Sequence, residues 1–294
     1  MNHLRKTKHG GVMTVIFSLL SIIYVLPILI VIMNSFKLKA YINRYPFRFG
    51  ANSIAEGWDR FVAGVQRAFV GLENYTEGIK KIDFFRAFGY SLFITICSVA
   101  VIILCTSMCA WYITRVRNSL TRGIYMLCLF SMIVPFQMVM FTLSKLANML
   151  HLGNPVGIIL VYLGFGAGLA VFMFCGFVKS IPLEIEEAAM IDGCNPIQTF
   201  FQVVFPILKP TAITVAILQA MWIWNDYLLP YLVLDIKRFK TIPIAIQYLK
   251  GGYGSIDWGA MMAMLVLAII PIIVFYIACQ KYIIEGVVAG AVKG

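Results

Sequence analysis

Six long apolar blocks dominate the sequence and restrict the chain to one kind of fold. They lie near residues 12–34, 88–112, 123–144, 156–178, 211–231 and 258–280. A helix needs about 20 apolar residues to cross the hydrocarbon core of a bilayer, and five of the blocks contain no Asp, Glu, Lys or Arg. A transmembrane barrel would instead show short segments of alternating polarity. The blocks therefore predict an all-α, polytopic membrane protein with six transmembrane helices.

The six predicted spans divide the chain into four regions, with both termini on one side of the membrane. Region 1–34 carries the N-terminus and the first span, because its apolar stretch is too long for a signal-peptide core. A loop at 35–87 follows. Residues 88–280 contain five helices and enclose a loop at 180–210, and residues 281–294 form a tail. Lys and Arg favour the cytoplasmic side, but here they occur in loops on both sides and leave the orientation open.

The remaining polar composition argues against several classes of site. The net charge of +11 could indicate nucleic acid, but basic residues beside membrane spans more often contact anionic lipid headgroups, and no separate basic domain is present. Six of the seven cysteines fall inside apolar blocks, where they behave as small packing residues. The three histidines are isolated and lack the spacing of metal ligands. We therefore expect neither a disulfide nor a metal site.

Prolines and glycines within the blocks predict local features of the bundle. Each proline removes a backbone hydrogen bond and favours a kink, which serves either as a hinge or only as a packing bend. Small residues at short spacing allow close helix contact. The prolines are Pro27, Pro135 and Pro271, and the glycines are Gly164, Gly166 and Gly168.

The loop between the fourth and fifth spans is the most informative stretch. Pro182 suits the first position of a helix and is followed by acidic residues, which are favourable near a helix N-terminus. Gly193 can adopt the left-handed conformation that ends such a helix. Asn195 and Pro196 can then begin a second helix as cap and first residue, which Pro206 and Pro210 close before the fifth span. The pattern predicts a rigid helix–glycine–helix elbow, a shape suited to docking in a partner's groove.

This loop resembles the Glu-Ala-Ala loop of the permease subunits of ABC importers, in their maltose-type, carbohydrate-uptake branch. Further matches extend over about the last 170 residues, whereas residues 44–72, including Trp58 and Arg67, look like an insertion of unknown role. The matching positions of the loop are Glu187, Ala188, Ala189, Asp192, Gly193 and Pro206, with Val203 and Phe205 where the family usually has Ile and Leu.

The resemblance implies a type I ABC importer permease fold, in which the loop is a coupling helix seated on a cytoplasmic ATPase subunit. It also implies the partners: a second, homologous permease, two ATPase subunits that bind ATP and Mg, and an extracytoplasmic solute-binding protein. Glu187 would make the polar contact, Ala188 and Ala189 would permit close approach, and Gly193 would make the bend. The loop would then be cytoplasmic, as would both termini, in the cytoplasmic membrane of a bacterium.

A polar and aromatic cluster near the end of the fifth span is a candidate substrate path. Asp226 is the only ionisable residue within the predicted spans, and such groups usually face a cavity or a partner. Aromatic rings beside amide and carboxylate acceptors suit a sugar. The alternative is an interfacial aromatic belt, with Asp226 reaching water. The cluster consists of Trp222, Trp224, Asn225, Asp226 and Tyr227.

The sequence also restricts the mechanism. It contains no Walker A lysine motif, so we expect no ATPase activity in this chain and an energy supply from partner subunits. The carbohydrate branch implies an oligosaccharide or related glycan, with glycerol phosphate or a polyol as the alternative cargo. An ion-coupled carrier would show intramembrane charges and inverted repeats. A membrane enzyme would need a clustered catalytic set, and none is visible.

Overall fold

The protein is predominantly helical in the part of the chain that the structure describes. The computed structural model describes residues 10–52, 54–249 and 255–291, with side chains as far as residue 282. An isolated antiparallel bridge joins Lys37 and Phe69. Two compact units are present. One comprises the chain up to Phe84 with Ile246–Pro271, and the other comprises Phe85–Ala245 with the chain from Ile272.

The helices are numbered in chain order. Up to residue 149 they are α1 (Gly10–Ser35), α2 (Lys39–Arg44), α3 (Trp58–Ala68), α4 (Glu73–Ile82), α5 (Phe84–Arg115), α6 (Ser119–Ile133) and α7 (Phe136–Met149). A single 3-10 turn covers Ile54–Glu56. The remaining helices are α8 (Gly157–Val178), α9 (Leu183–Ile191), α10 (Pro196–Gln198), α11 (Phe205–Ile207), α12 (Lys209–Asn225), α13 (Leu228–Val233), α14 (Ile242–Gln247) and α15 (Trp258–Ala291), with a π-helical stretch at Thr199–Val204 between α10 and α11.

Four helices are long and apolar enough to cross a membrane, namely α1, α5, α8 and α15. The predicted third span is broken by a bend of 110° between α6 and α7, and a bend of 75° separates Pro196–Ile207, in the loop before the predicted fifth span, from α12. The described residues therefore provide four to six candidate spans, and six only if each bent pair crosses once. Helix α15 runs on to Ala291, so the predicted tail at 281–294 begins as a continuation of that helix.

The prediction of a kink at Pro135 underestimates the change of direction. Pro135 has extended backbone angles and lies immediately before the first residue of α7, so the helix stops and restarts there instead of bending. The cause is that a proline disfavours the helical conformation of the residue before it, and Val134 is indeed extended. By contrast, Pro27 lies inside α1 and Pro271 inside α15.

In the first unit, a buried lysine organises the segment that follows α1. Lys37 is fully buried, and its ammonium group donates to Oδ1 of Asn34 at 2.8 Å and to the carbonyl oxygens of Tyr45 and Arg48, each at 2.7 Å. Burial lowers the pKa of Lys37 to about 8, so the group is still charged at neutral pH. Lys37 thus connects Asn34 at the end of α1 with Tyr45 and Arg48. The last two residues lie within the region at 35–87 that was predicted as a loop.

In the second unit, α8 lies at the centre of the core. Helix α6 and helix α12 both pack against α8, while α7 packs against α13. Tyr162 and Phe174 of α8 are fully buried. The same apolar cluster includes Phe200, Val204 and Leu208 from the loop between α9 and α12. The loop that was predicted to carry function is therefore packed into the core of this unit by one of its faces.

Two of the three glycines predicted to make helix contacts lie at close packing distances. A Cβ atom on Gly168 would lie 2.6 Å from Ser131 Oγ and 2.7 Å from the carbonyl oxygen of Cys128 in α6, whereas one on Gly164 would meet nothing within 4 Å. Gly166 faces Ile102 and Gln219 at similarly short distances.

This contrast provides a matched test of the packing. Gly168→Ala should force α6 away from α8 and destabilise the chain by about 1–3 kcal/mol, as overpacked cores do, while Gly164→Ala should leave stability nearly unchanged. Thermal unfolding of the two purified variants in the same detergent measures the difference. Equal melting temperatures would contradict the described contact between α6 and α8.

Candidate coupling site

The candidate coupling site is the loop at 180–210, which we call the elbow. Its first helix, α9, begins after Pro182, which is the N-terminal cap and thus lies one residue before the predicted position. Gly193 has φ of +91°, which confirms the left-handed conformation predicted for it. The amide of Cys194 donates to the carbonyl oxygen of Ala189 at 3.0 Å, a bond typical of helices that end at such a glycine.

The second half of the elbow also starts as its sequence predicts. Asn195 caps α10 through a hydrogen bond from the amide of Gln198 to Asn195 Oδ1, and the Gln198 side chain accepts from the amide of Asn195. Pro196 is the first helical residue. The reciprocal bonds form a capping box, which fixes the entry of the helix.

The second half of the elbow ends between Pro206 and Pro210, the two prolines predicted to close it. Pro206 lies in the first turn of α11, and the helix ends only at Ile207, before the bend at Leu208. Because Pro206 cannot donate a hydrogen bond to the preceding turn, the backbone widens into the π-helical stretch before it, where the amide of Phe205 bonds to the carbonyl oxygen of Phe200. A single-turn π-bulge of this kind often occurs at functional sites.

The predicted coupling residues lie mostly on the exposed face of the elbow. Glu187, Ala188, Asp192, Gly193 and Pro206 are exposed, whereas Ala189 is buried. Large apolar side chains accompany them: Ile191 is 85% exposed and Ile197 is 67% exposed. Exposed apolar side chains grouped in this way are typical of a protein–protein contact surface.

Sequence reasoning missed the buried acidic residue beside Glu187. Glu186 is only 2% exposed, and its Oε1 accepts hydrogen bonds from Arg115 Nε at 2.9 Å and Nη2 at 2.6 Å. Its Oε2 accepts from Trp111 Nε1 at 2.9 Å. Arg115 Nη2 also donates to the carbonyl oxygen of Ile181 at 3.0 Å. The elbow is therefore attached to the end of α5 by four charge-assisted or polar hydrogen bonds.

A local signal for the burial of Glu186 exists. Glu186 and Ala189 are three residues apart and so share a face of α9, and Ala189 is the buried member of the Glu-Ala-Ala triplet. Glu187 lies on the opposite, exposed face. The two neighbouring carboxylates thus have different roles: Glu186 holds the elbow in place, and Glu187 is presented at its surface.

The structure separates the predicted substrate-path residues into two groups. Trp222 and Asn225 are exposed, whereas Trp224 is buried with its ring 5.7 Å from that of Phe88. Asp226 and Tyr227 are half-buried, and the Tyr227 ring stacks on Tyr231 at 5.2 Å. The five residues therefore do not share one surface.

Asp226 has a structural role that the sequence did not reveal. Its Oδ1 accepts hydrogen bonds from the amides of Leu228 and Leu229, at the start of α13. Its Oδ2 accepts from the hydroxyl of Tyr162 at 3.1 Å. Asp226 lies directly after the last residue of α12, so it caps the next helix and ties that turn to α8.

Within the described residues, no group of three His, Cys, Asp or Glu side chains is close enough to hold a metal ion.

The features of the chain define its class: a multi-pass integral membrane protein that carries an exposed helical elbow between two of its candidate spans.

Comparison with known proteins gives the family. A family model described as a binding-protein-dependent transport system inner membrane component matches residues 103–288, a stretch that includes the whole elbow. The chain belongs to this family. It is therefore a permease subunit of an ABC importer, as the resemblance of the elbow implied.

Similar proteins support the same assignment over nearly the full length. The probable starch degradation products transport system permease protein AmyC of Thermoanaerobacterium thermosulfurigenes is 35% identical over 274 residues, which are 93% of each chain. The multiple sugar-binding transport system permease protein MsmG of Streptococcus mutans is 32% identical and covers 92% of this chain and 93% of its own.

A solved structure shares the fold. A chain of a bacterial ABC transporter involved in the import of the acidic polysaccharide alginate superposes with a TM-score of 0.73 and 20% identity, covering 96% of this chain and 99% of that one.

Proposed function

We propose that this chain imports an oligosaccharide or a related glycan, as one of two permease subunits of an ATP-driven importer that works by alternating access. The observation that carries the proposal is the 35% identity to AmyC across 93% of both chains, because that relative is named for the transport of starch degradation products. The alternative cargo, glycerol phosphate or a polyol, is not favoured by the relatives with named substrates.

The proposed complex contains a second, homologous permease, two cytoplasmic ATPase subunits and an extracytoplasmic solute-binding protein. ATP and Mg bind to the ATPase subunits, since this chain has no Walker A lysine motif. The chain lies in the cytoplasmic membrane of a bacterium, with the elbow and both termini in the cytoplasm. Lipid surrounds the spans, and nucleic acid has no part in the function.

The contacts of the elbow support its role as the coupling element. Its exposed face offers Glu187 and the small Ala188 beside large apolar side chains, which suits close approach to a groove. Its buried face is attached through Glu186 to Arg115 at the end of α5. Displacement of the elbow by a partner subunit would therefore move α5, a candidate membrane span, through this contact.

We propose that fewer residues line the substrate path than the sequence suggested. Trp222 and Asn225 remain candidates because both are exposed near the end of α12. An indole ring can stack on the C–H face of a sugar, and an amide can bond its hydroxyl groups. Trp224, Asp226 and Tyr227 would support that surface through their contacts with Phe88, Tyr162 and Tyr231.

The cargo can be tested with the full complex in proteoliposomes. Uptake of radiolabelled maltotriose, raffinose, arabinotriose and glycerol 3-phosphate would be compared, with the cognate binding protein outside and ATP inside. We expect uptake of at least one oligosaccharide that requires both ATP and the binding protein. Uptake of glycerol 3-phosphate alone, or oligosaccharide uptake independent of ATP, would overturn the proposal.

A further inference from the structure

A basic cavity lies where two membrane-spanning helices end, on the same side of the chain as the elbow. Its volume is about 590 Å³, within the range of ligand pockets. The end of α5, the start of α6 and the end of α8 contribute its walls. The lining residues are Ile113, Thr114, Arg117, Asn118, Ser119, Thr121, Arg122, Tyr125, Cys175 and Lys179.

All of the charged side chains that line this cavity are basic. Arg117, Arg122 and Lys179 line it, and no Asp or Glu does. None of these three cations is in a salt bridge with any side chain that the structure describes. Lys179 lies over the face of the Tyr125 ring, with its Nζ 6.0 Å from the ring centre. Three cations around one cavity repel each other unless an anion lies between them.

The local helix geometry does not account for Arg122. It follows the first turn of α6, where the N-terminal end of the helix dipole is itself positive, and that turn contains no acidic residue. Lys179 follows the C-terminal end of α8, where a cation is favourable. Arg117 lies between the C-terminal end of α5 and the N-terminal end of α6, so the two helix ends offset each other there. Arg122 is thus placed against the local field, which an external anion would offset.

Other groups in the cavity suit a phosphate ester. The hydroxyl groups of Ser119 and Tyr125 line the cavity and have no hydrogen-bond partner among the described side chains and backbone. Ile113 and the buried Cys175 add an apolar wall. A headgroup phosphate could thus bind the arginines and hydroxyl groups while its glycerol portion lies on the apolar wall.

The position of the cavity identifies the source of that phosphate. Helices α5 and α8 both qualify as membrane spans, and they end at Arg115 and Val178, immediately beside the cavity. The cavity therefore lies at the depth at which lipid headgroups begin. Basic pockets between spans on the cytoplasmic side bind anionic lipids in other membrane proteins.

We propose that this cavity is a binding site for the headgroup of an anionic phospholipid, held by Arg117, Arg122 and Lys179. Its assignment to the cytoplasmic leaflet and its link to the coupling element rest on the proposed function. The site adjoins the elbow, because Lys179 is followed directly by Ser180 and Ile181, whose carbonyl oxygen is bonded by Arg115. Lipid binding therefore stabilises the base of the coupling element.

The test uses the full importer complex in nanodiscs of phosphatidylcholine alone or with added phosphatidylglycerol. Retained lipid is measured by native mass spectrometry after extraction, and thermal stability is measured in parallel. The variant combines Arg117→Gln, Arg122→Gln and Lys179→Gln. Its control combines Lys237→Gln, Arg238→Gln and Lys240→Gln, which removes equal charge from another loop.

We expect phosphatidylglycerol to be retained and to raise the melting temperature of the unmodified complex and of the control. The triple variant should bind it on the order of a hundredfold more weakly, since each cation near an anionic lipid contributes a factor of about five. Equal retention by the triple variant and the control would overturn the proposal.

Two further outcomes would also overturn it. If inorganic phosphate raises the melting temperature as much as phosphatidylglycerol does, the ligand is a soluble anion and not a lipid. If the triple variant keeps its lipid but loses an ATPase subunit, the cavity is a protein contact. Because lipid retention is measured without transport, neither result depends on which solute the importer carries.

Discussion

Glu187→Lys is expected to abolish ATP hydrolysis coupled to transport while the chain remains inserted in the membrane. Glu187 is exposed on α9, so the substitution should not disturb the core. It reverses a charge on the proposed contact surface, and juxtaposed like charges at an interface cost several kcal/mol. ATPase activity stimulated by the loaded binding protein, measured in proteoliposomes, reports the loss.

Gly193→Asp should produce the same loss by a different route. Gly193 has φ of +91°, where a residue with a side chain is strained by about 1–3 kcal/mol, so the turn between the two elbow helices should change shape. Asp59→Lys provides the control, because Asp59 is exposed in α3, far from the elbow in sequence. Normal coupled activity in both elbow variants would rule out the coupling assignment.

The second large effect is expected at the buried face of the elbow. Glu186→Gln should destabilise the elbow and reduce coupled ATPase activity, because it leaves the Arg115 guanidinium without its carboxylate. Removing one partner of a buried ion pair costs about 3–5 kcal/mol, and the Arg115 side chain is only 19% exposed. Glu184→Gln is the matched control, since Glu184 is an exposed residue of the same helix.

A double-mutant cycle separates this pairing from a general loss of packing. Arg115→Met alone should also destabilise the protein, while the combination with Glu186→Gln should cost less than the sum of the two single changes. Thermal unfolding gives the stabilities, and coupled ATPase activity gives the functional effect. Strictly additive changes in the free energy of unfolding would show that the two side chains do not interact.

The sequence predicted those features of the elbow that depend on neighbouring residues. The left-handed turn at Gly193 and the cap at Asn195 each follow from the chemistry of a single short segment. The pairing of Glu186 with Arg115 could not be predicted in the same way, because the two residues are separated by 71 positions. Only the packing of α9 against the end of α5 brings them together.

The spans show the same division between local and distant causes. Apolar length placed all six blocks correctly as helical regions, but it could not distinguish a continuous helix from a broken one. At Pro135 the chain turns by 110°, far beyond the kink that proline alone predicts. Asp226 was a candidate because it is charged within a predicted span. Its hydrogen bond to Tyr162 joins residues 64 positions apart and depends on how α8 packs. Its bond from the amide of Leu228, by contrast, is local, because the two residues are two positions apart.

The buried Lys37 gives the segment after α1 an internal cation. Its three oxygen neighbours, from Asn34, Tyr45 and Arg48, resemble part of the shell that a small metal ion would require. Here the positive charge is covalently part of the chain, so it cannot be diluted or removed by a chelator. The fold of this segment should therefore not depend on the calcium or magnesium concentration of the solution.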